Sequence, residues 1–203
     1  MKLRNKNLKI LKSNHVYSEE MEHDACGVGL VASTEGLKSR KVVEYGIDAL
    51  KAVWHRGAID ADGKTGDGAG IHIEIPKDFF EEKIEVTGHK HDNSELCVGM
   101  IFLPRNDYSA QEQCRTIVES ELTKRNFSIY GWRQVPVDPS VLGEKAEQTR
   151  PEITQVLFTY NDKKVVNKSL EQKLYETRRV IEKEALNNPV SYTHLTLPTI
   201  CSV

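Results

Sequence analysis

The sequence predicts an α+β domain in which antiparallel sheets are flanked by helices. Three observations predict it. Apolar runs of strand length recur at residues 71–75, 96–103, 127–134 and 153–160. Before, among and after them stand stretches with helical apolar spacing, at residues 41–54, from 109 onward and at 169–186. The two kinds do not alternate as a regular βαβ repeat, so strand pairs punctuated by helices fit better than a doubly wound parallel sheet. No internal repeat is visible.

Taken in order, the elements justify themselves locally. Residues 1–12 mix Lys, Arg and Asn with a few leucines, and residues 19–24 are acidic. No apolar h-region is present, so this is not a secretory signal. It reads as a frayed N-terminus or as a short propeptide. Residues 27–33 read as a buried strand, with a turn at Glu35-Gly36. Residues 41–54 read as a helix, because Val43, Ile47 and Leu50 recur at spacings of four and three, with Gly57 as its C-cap. Residues 58–70 form a Gly/Asp-rich loop. The alternation Ile71-His72-Ile73-Glu74-Ile75 predicts a half-buried strand, after which Pro76 opens a short helix through Phe79 and Phe80.

Residues 85–95 are polar loop, and 96–103 form a strong strand closed by Pro104. Ser109-Ala110-Gln111-Glu112 has the capping-box pattern, and the helix behind it carries Cys114, Ile117, Val118 and Leu122 on one face. Residues 127–134 and 153–160 are strands, separated by the breaker Val135-Pro136-Val137-Asp138-Pro139 and a loop opening at 141–143. Ser169-Leu170-Glu171-Gln172 is a second capping box, with Leu174, Ile181 and Ala185 facing inward behind it.

Composition narrows the function classes. With 203 residues, 38% of them hydrophobic, the chain can bury a real core as one domain. A formal net charge of -2 leaves no basic excess for nucleic acid. No apolar run approaches the ~20 residues of a membrane span. The four cysteines, Cys26, Cys97, Cys114 and Cys201, show neither CxxC nor zinc spacing. They are expected to be free thiols in a cytoplasmic protein, and no metal site is expected.

Cys26 carries the chemistry. It stands in Glu22-His23-Asp24-Ala25-Cys26-Gly27-Val28-Gly29-Leu30. A free thiol has a pKa of about 8.5, so little thiolate exists at neutral pH. A chain α-amine, at roughly 7.7–8, is a far better base there than a lysine amine at ~10.4. Removal of residues 1–25 would put amine and thiol on one residue, with Gly27 and Gly29 leaving room for a substrate. A buried structural cysteine fits the same residues.

Arg56, in Trp54-His55-Arg56-Gly57, can meet a substrate carboxylate with its planar fork or pair with an acid near the helix end. His55 reads as structural or surface. The run Asp60-Ala61-Asp62-Gly63-Lys64-Thr65-Gly66-Asp67-Gly68-Ala69-Gly70 lacks the Walker spacing and the dinucleotide fingerprint, and a calcium loop would want glutamate where Ile71 stands. It reads as a tight loop. His89 and His91 read as solvated loop histidines, and Gly131-Trp132-Arg133 as strand packing.

The order of these motifs resembles the N-terminus of glutamate synthase large subunits, a family of type 2 glutamine amidotransferases. The motifs are Cys26-Gly27-x-Gly29-Leu30, His55-Arg56-Gly57, the run from Ala61 to Gly70, Gly99-Met100-x-Phe102-Leu103-Pro104 and Gly131-Trp132-Arg133-x-Val135-Pro136. The resemblance spans roughly residues 18–187. It implies the four-layer αββα sandwich of the N-terminal-nucleophile hydrolases, here incomplete. It implies Cys26 as nucleophile and Arg56 as a substrate-binding residue. The implied reaction releases ammonia from glutamine for reductive amination of 2-oxoglutarate to glutamate. The resemblance places FMN and a 3Fe-4S cluster in later domains of the full subunit and none in this stretch. Electrons would come from a small subunit or from ferredoxin.

The Asn-Gly oxyanion pair of the family lies beyond this sequence, so the chain is expected to be unstable and inactive by itself. Residues 189–203, with Ser191-Tyr192-Thr193-His194-Leu195-Thr196-Leu197-Pro198-Thr199, are similar to a translated transposase sequencing adapter and read as an artefact tail. The expected organisation is a propeptide at 1–25, the first part of the amidotransferase domain at 26–188, and that tail. Two other readings share these residues: a type 2 amidotransferase with a sugar phosphate or aspartate acceptor, and a non-catalytic binding module with a structural Cys26.

Overall fold

The computed structural model describes residues 27–54, 57, 59–66, 68–91, 95–162 and 168–187. The chain divides into two compact units, Met1–Arg56 and Gly57–Val203.

In the first unit, helix α1 spans Arg40–Ala52. Ser39 caps it: its backbone is extended and its hydroxyl accepts the Lys41 N–H at 3.2 Å. The face expected from the periodicity is right, since Val43, Ile47 and Leu50 are all half-buried. The end differs. The Val53 N–H turns back to the Leu50 carbonyl, so the last turn tightens and the helix stops before Trp54 and Gly57. Residues 27–33 are not a strand. Val28 and Leu30 are 95% and 91% exposed, because no described segment offers them a hydrogen-bonding edge.

The second unit is built on a three-stranded antiparallel sheet in the order β1-β3-β2. Its strands are β1 (Leu96–Leu103), β2 (Phe127–Gln134) and β3 (Glu152–Tyr160). The central position goes to β3, whose residues are buried on both faces over most of its length. Its register pairs Val98 with Leu157 on one side and Trp132 with Val156 on the other. Strand alternation then sorts the side chains onto two faces.

On one face Cys97, Ile101, Leu103, Val156 and Phe158 pack with Cys114, Val118 and Leu122 of α3 (Tyr108–Lys124) and with Leu170, Leu174, Ile181 and Ala185 of α5 (Lys168–Asn187). On the other face Leu96, Val98, Tyr130 and Leu157 pack with Phe80 and Ile84 of α2 (Lys77–Val86) and with Ile75. The result is a mixed α/β unit with a small antiparallel sheet, helices on one face and a single helix on the other.

Three expectations need correction here. Residues 71–75 lack a ladder; Ile75 is buried, but Ile71 and Ile73 stay exposed, with no partner strand among the described residues to cover them. Asp107, not Ser109, caps α3. Its carboxylate accepts the Ala110 N–H at 2.9 Å, and a charged acceptor at a helix N-terminus also meets the macrodipole. Ser169 is no cap, since α5 already includes Lys168. One helix escaped the sequence altogether: α4 (Glu144–Thr149), entered through a 3-10 turn at Pro139–Val141.

Candidate functional site

Cys26 and Arg56, the two residues assigned to catalysis and substrate binding, lie outside the described residues, as do His55 and Asp67. Among the described residues, the next motif along the chain is the glycine-rich loop that follows Arg56. Its base is closed by an antiparallel bridge between Ile59 and Gly66. Inside it the Asp60 N–H donates to the Thr65 carbonyl at 2.7 Å, and the Gly63 N–H donates to the Asp60 carbonyl at 3.0 Å. Gly63 sits at φ +67, a left-handed conformation that glycine takes without steric cost.

Asp62 organises the loop. Its carboxylate accepts the Lys64 N–H at 2.9 Å, the Thr65 N–H at 2.7 Å and the Thr65 hydroxyl. The Thr65 hydroxyl, then those amides and the backbone of Glu144, lower its pKa from the ordinary carboxylate value to about 2. Asp60 is lowered as well, first by the Lys145 ammonium at 2.6 Å and then by the Ala61 N–H, against the nearby charge of Asp62. The loop amides of Lys64 and Thr65 are thus spent on its own carboxylate. That removes the free N–H cradle that a phosphate would need.

The loop docks on the start of α4. Gly143 is buried, and a Cβ there would lie 2.1 Å from the Thr65 hydroxyl oxygen, 2.4 Å from Asp62 Oδ2 and 2.5 Å from the Thr65 nitrogen. Only hydrogen fits. Glu144 supplies backbone to Asp62, and Lys145 supplies its ammonium to Asp60. The sequence reading of a tight loop therefore holds, and its dock was missed. A six-residue helix with no apolar stripe gives no periodic signal, and only the glycine before Glu144-Lys145 hinted at a close approach.

The Gly131-Trp132-Arg133 motif is strand packing, as read. Gly131 sits at φ 153 where β2 bulges between Ile129 and Gly131, and its Cα faces the Thr87 side chain so closely that a Cβ would come within 2.9 Å of Thr87 Cγ2. Trp132 Nε1 donates to Glu119 at 2.6 Å. Arg133 lies over the Phe79 ring and donates to Gln155. The reading of both loop histidines as solvated is wrong for His91. Its side chain is only 5% exposed, because its ring packs against Tyr130 and bonds Glu81. Among the described residues no group of three or more His, Cys, Asp or Glu side chains could hold a metal, and no helix is long and apolar enough to cross a membrane.

The family model for class-II glutamine amidotransferases matches residues 26–202. The chain is 53% identical over 177 residues to a glutamate synthase [NADPH] large chain of Azospirillum brasilense, a stretch covering 87% of this chain and 12% of that relative. It is 35% identical over 187 residues to a ferredoxin-dependent glutamate synthase of Pyropia yezoensis, covering 92% and 12%. Ferredoxin-dependent glutamate synthase 2, chloroplastic, of Arabidopsis thaliana is 37% identical over 177 residues, covering 85% and 11%. The chain thus spans 12% of the length of the first two relatives.

Proposed function

The chain belongs to the class-II glutamine amidotransferases, and on that premise we propose that it carries the glutaminase nucleophile of a glutamate synthase, with Cys26 as that nucleophile. One observation carries the proposal: the family match begins at Cys26 itself, the residue whose amine and thiol become chemically useful together once residues 1–25 are removed. In the proposed reaction the Cys26 thiol attacks the carbonyl carbon of the glutamine side-chain amide. The Cys26 α-amine takes the thiol proton and returns it to the leaving nitrogen, so ammonia departs and a thioester remains. Water then cleaves the thioester, releasing glutamate and restoring thiol and amine. Arg56 is proposed to hold the substrate carboxylate with its guanidinium fork.

The proposal extends to fold, cofactors and setting. The described sheet with its α3 and α5 layer would be one half of an αββα sandwich. FMN and a 3Fe-4S cluster are proposed to belong to later domains of the whole protein. The chemistry proposed here is the hydrolytic half alone, with glutamine as substrate and the cytoplasm as its place. In the whole protein the electron partner is proposed to be a small subunit or ferredoxin. Residues 189–203 are proposed to be adapter-derived; the family match runs on to residue 202, so a long DNA read across the codons for Asn188 and Val190 is the test.

Intact mass before and after incubation with a thiol alkylator tests the catalytic reading. Loss of residues 1–25 together with alkylation at Cys26, and neither in Cys26→Ala, is expected. A chain that keeps residues 1–25 and leaves Cys26 unmodified is a binding module instead.

A further inference from the structure

We infer that Asp62-Gly63 is a latent modification site: it isomerises to isoaspartate when the glycine-rich loop leaves α4 and is kept intact while the loop is docked. An aspartate followed by glycine is the step at which a chain most readily attacks itself, because the second residue has no Cβ to shield its nitrogen. The loop needs both residues for its shape. Gly63 takes φ +67 at the turn, and Asp62 gathers the loop's donors. Both are exposed, so burial is not what protects them. The reaction joins the Gly63 nitrogen to Asp62 Cγ. The N–H proton and the carboxyl O–H leave together as water, and a five-membered imide remains. A second water then opens the ring. Opening at Cγ restores aspartate. Opening at the main-chain carbonyl carbon leaves the chain running through the former side chain, as isoaspartate.

The docked loop opposes each requirement of that reaction. The nitrogen must shed its proton, and the Gly63 N–H is held by the Asp60 carbonyl at 3.0 Å. The carboxyl must turn Cγ to that nitrogen, yet its oxygens are tied to the Lys64 and Thr65 amides at 2.9 and 2.7 Å and to the Thr65 hydroxyl. The departing oxygen must carry a proton, and those same donors, the Thr65 hydroxyl first, keep the carboxyl ionised with a pKa of about 2. The dock holds this arrangement from outside. Lys145 reaches Asp60 at 2.6 Å, the Glu144 backbone bonds Asp62, and Thr65 lies against Gly143. The product cannot return to the dock. Isoaspartate lengthens the main chain by one methylene and leaves its carboxylate directly on Cα, so the three donors no longer converge on it. Gly143 has no room for a displaced loop, since even a Cβ there would lie 2.4 Å from Asp62 Oδ2. A loop that has opened and isomerised therefore stays open.

Ageing of the full chain in mildly acidic buffer, followed by peptide mapping, tests this. Trypsin cuts after Arg56 and Lys64, so Asp62-Gly63 falls in one peptide and Asp67-Gly68 in the next. Electron-transfer fragmentation of the first peptide then reads isoaspartate at position 62. In the native parent chain it should accumulate at least about tenfold more slowly than in the same chain held in urea, because the open fraction scales the rate. Gly143→Ala and, separately, Lys145→Met should each raise the native rate toward the urea value. The parent comparison needs neither variant to fold. Parent chain that has acquired isoaspartate at position 62 should have lost exchange protection at the Thr65 amide. Equal rates in the native and the urea-held parent overturn the inference. So does a folded variant whose Thr65 amide has lost protection yet isomerises at the parent's native rate, and so does an isoaspartate-bearing chain whose Thr65 amide is still protected.

Discussion

Replacing Gly143 by alanine should unseat the glycine-rich loop. The added Cβ would fall 2.1 Å from the Thr65 hydroxyl oxygen and 2.5 Å from the Thr65 backbone nitrogen. Carbon cannot approach that near, and a side-chain rotation of Thr65 relieves the first contact but not the second. Either α4 or the loop must move. The loop is the weaker party: it is held by the Asp60–Lys145 ion pair, whose lysine is largely exposed, and by hydrogen bonds at the surface. Overpacking of a buried site costs about 1–3 kcal/mol when the structure must absorb it. Release of the loop caps the loss, so urea unfolding of Gly143→Ala should fall within that range with an unchanged slope.

Two further readouts separate release from strain. Exchange protection of the Lys64 and Thr65 amides should be lost. Asp62→Ala should cost nothing more in the Gly143→Ala background, because the loop that Asp62 serves is already off its dock. A Gly143→Ala chain that keeps both protected amides and parental stability would falsify the close-approach argument. So would full additivity of the two substitutions.

Other outcomes follow from single features. The depressed Asp62 carboxylate contributes loop stability that is complete above its ordinary pKa of 3.8 and is lost as pH falls through about 2, so the Lys64 and Thr65 amide shifts should titrate in that window and nowhere near neutrality. Ile101→Ala, at a fully buried position on the helix-covered face of β1, should cost about 2–5 kcal/mol in chemical unfolding, and a loss under 1 kcal/mol would contradict its packing. Gly131→Ala should destabilise through both its left-handed φ and its contact with Thr87, and Thr87→Ser should recover only the contact part. Asp107→Ala should cost about 0.5–2 kcal/mol, whereas Ser109→Ala should be nearly silent.

The sequence by itself determined the elements whose pattern is local and long. The helices α1, α3 and α5 and the strands β1, β2 and β3 stand where apolar spacing put them, because a periodic stripe of Val, Ile and Leu has one face to bury whatever the partner. It also determined the family, through Cys26 and the motifs that follow it at fixed intervals. Tertiary structure decided what depends on a second surface. Residues 27–33 and 71–75 have strand-like alternation, yet a strand exists only where another edge completes its hydrogen bonds, and none is supplied among the described residues. The choice of Asp107 over Ser109 turned on which side chain reaches the first free amide. The burial of His91 turned on Tyr130 and Glu81, which lie 39 and 10 residues away along the chain. The need for glycine at 143 turned on a loop about 80 residues earlier coming to rest on it. Contacts between residues so far apart leave no period in the sequence, since each is set by where the folded backbone brings two surfaces together.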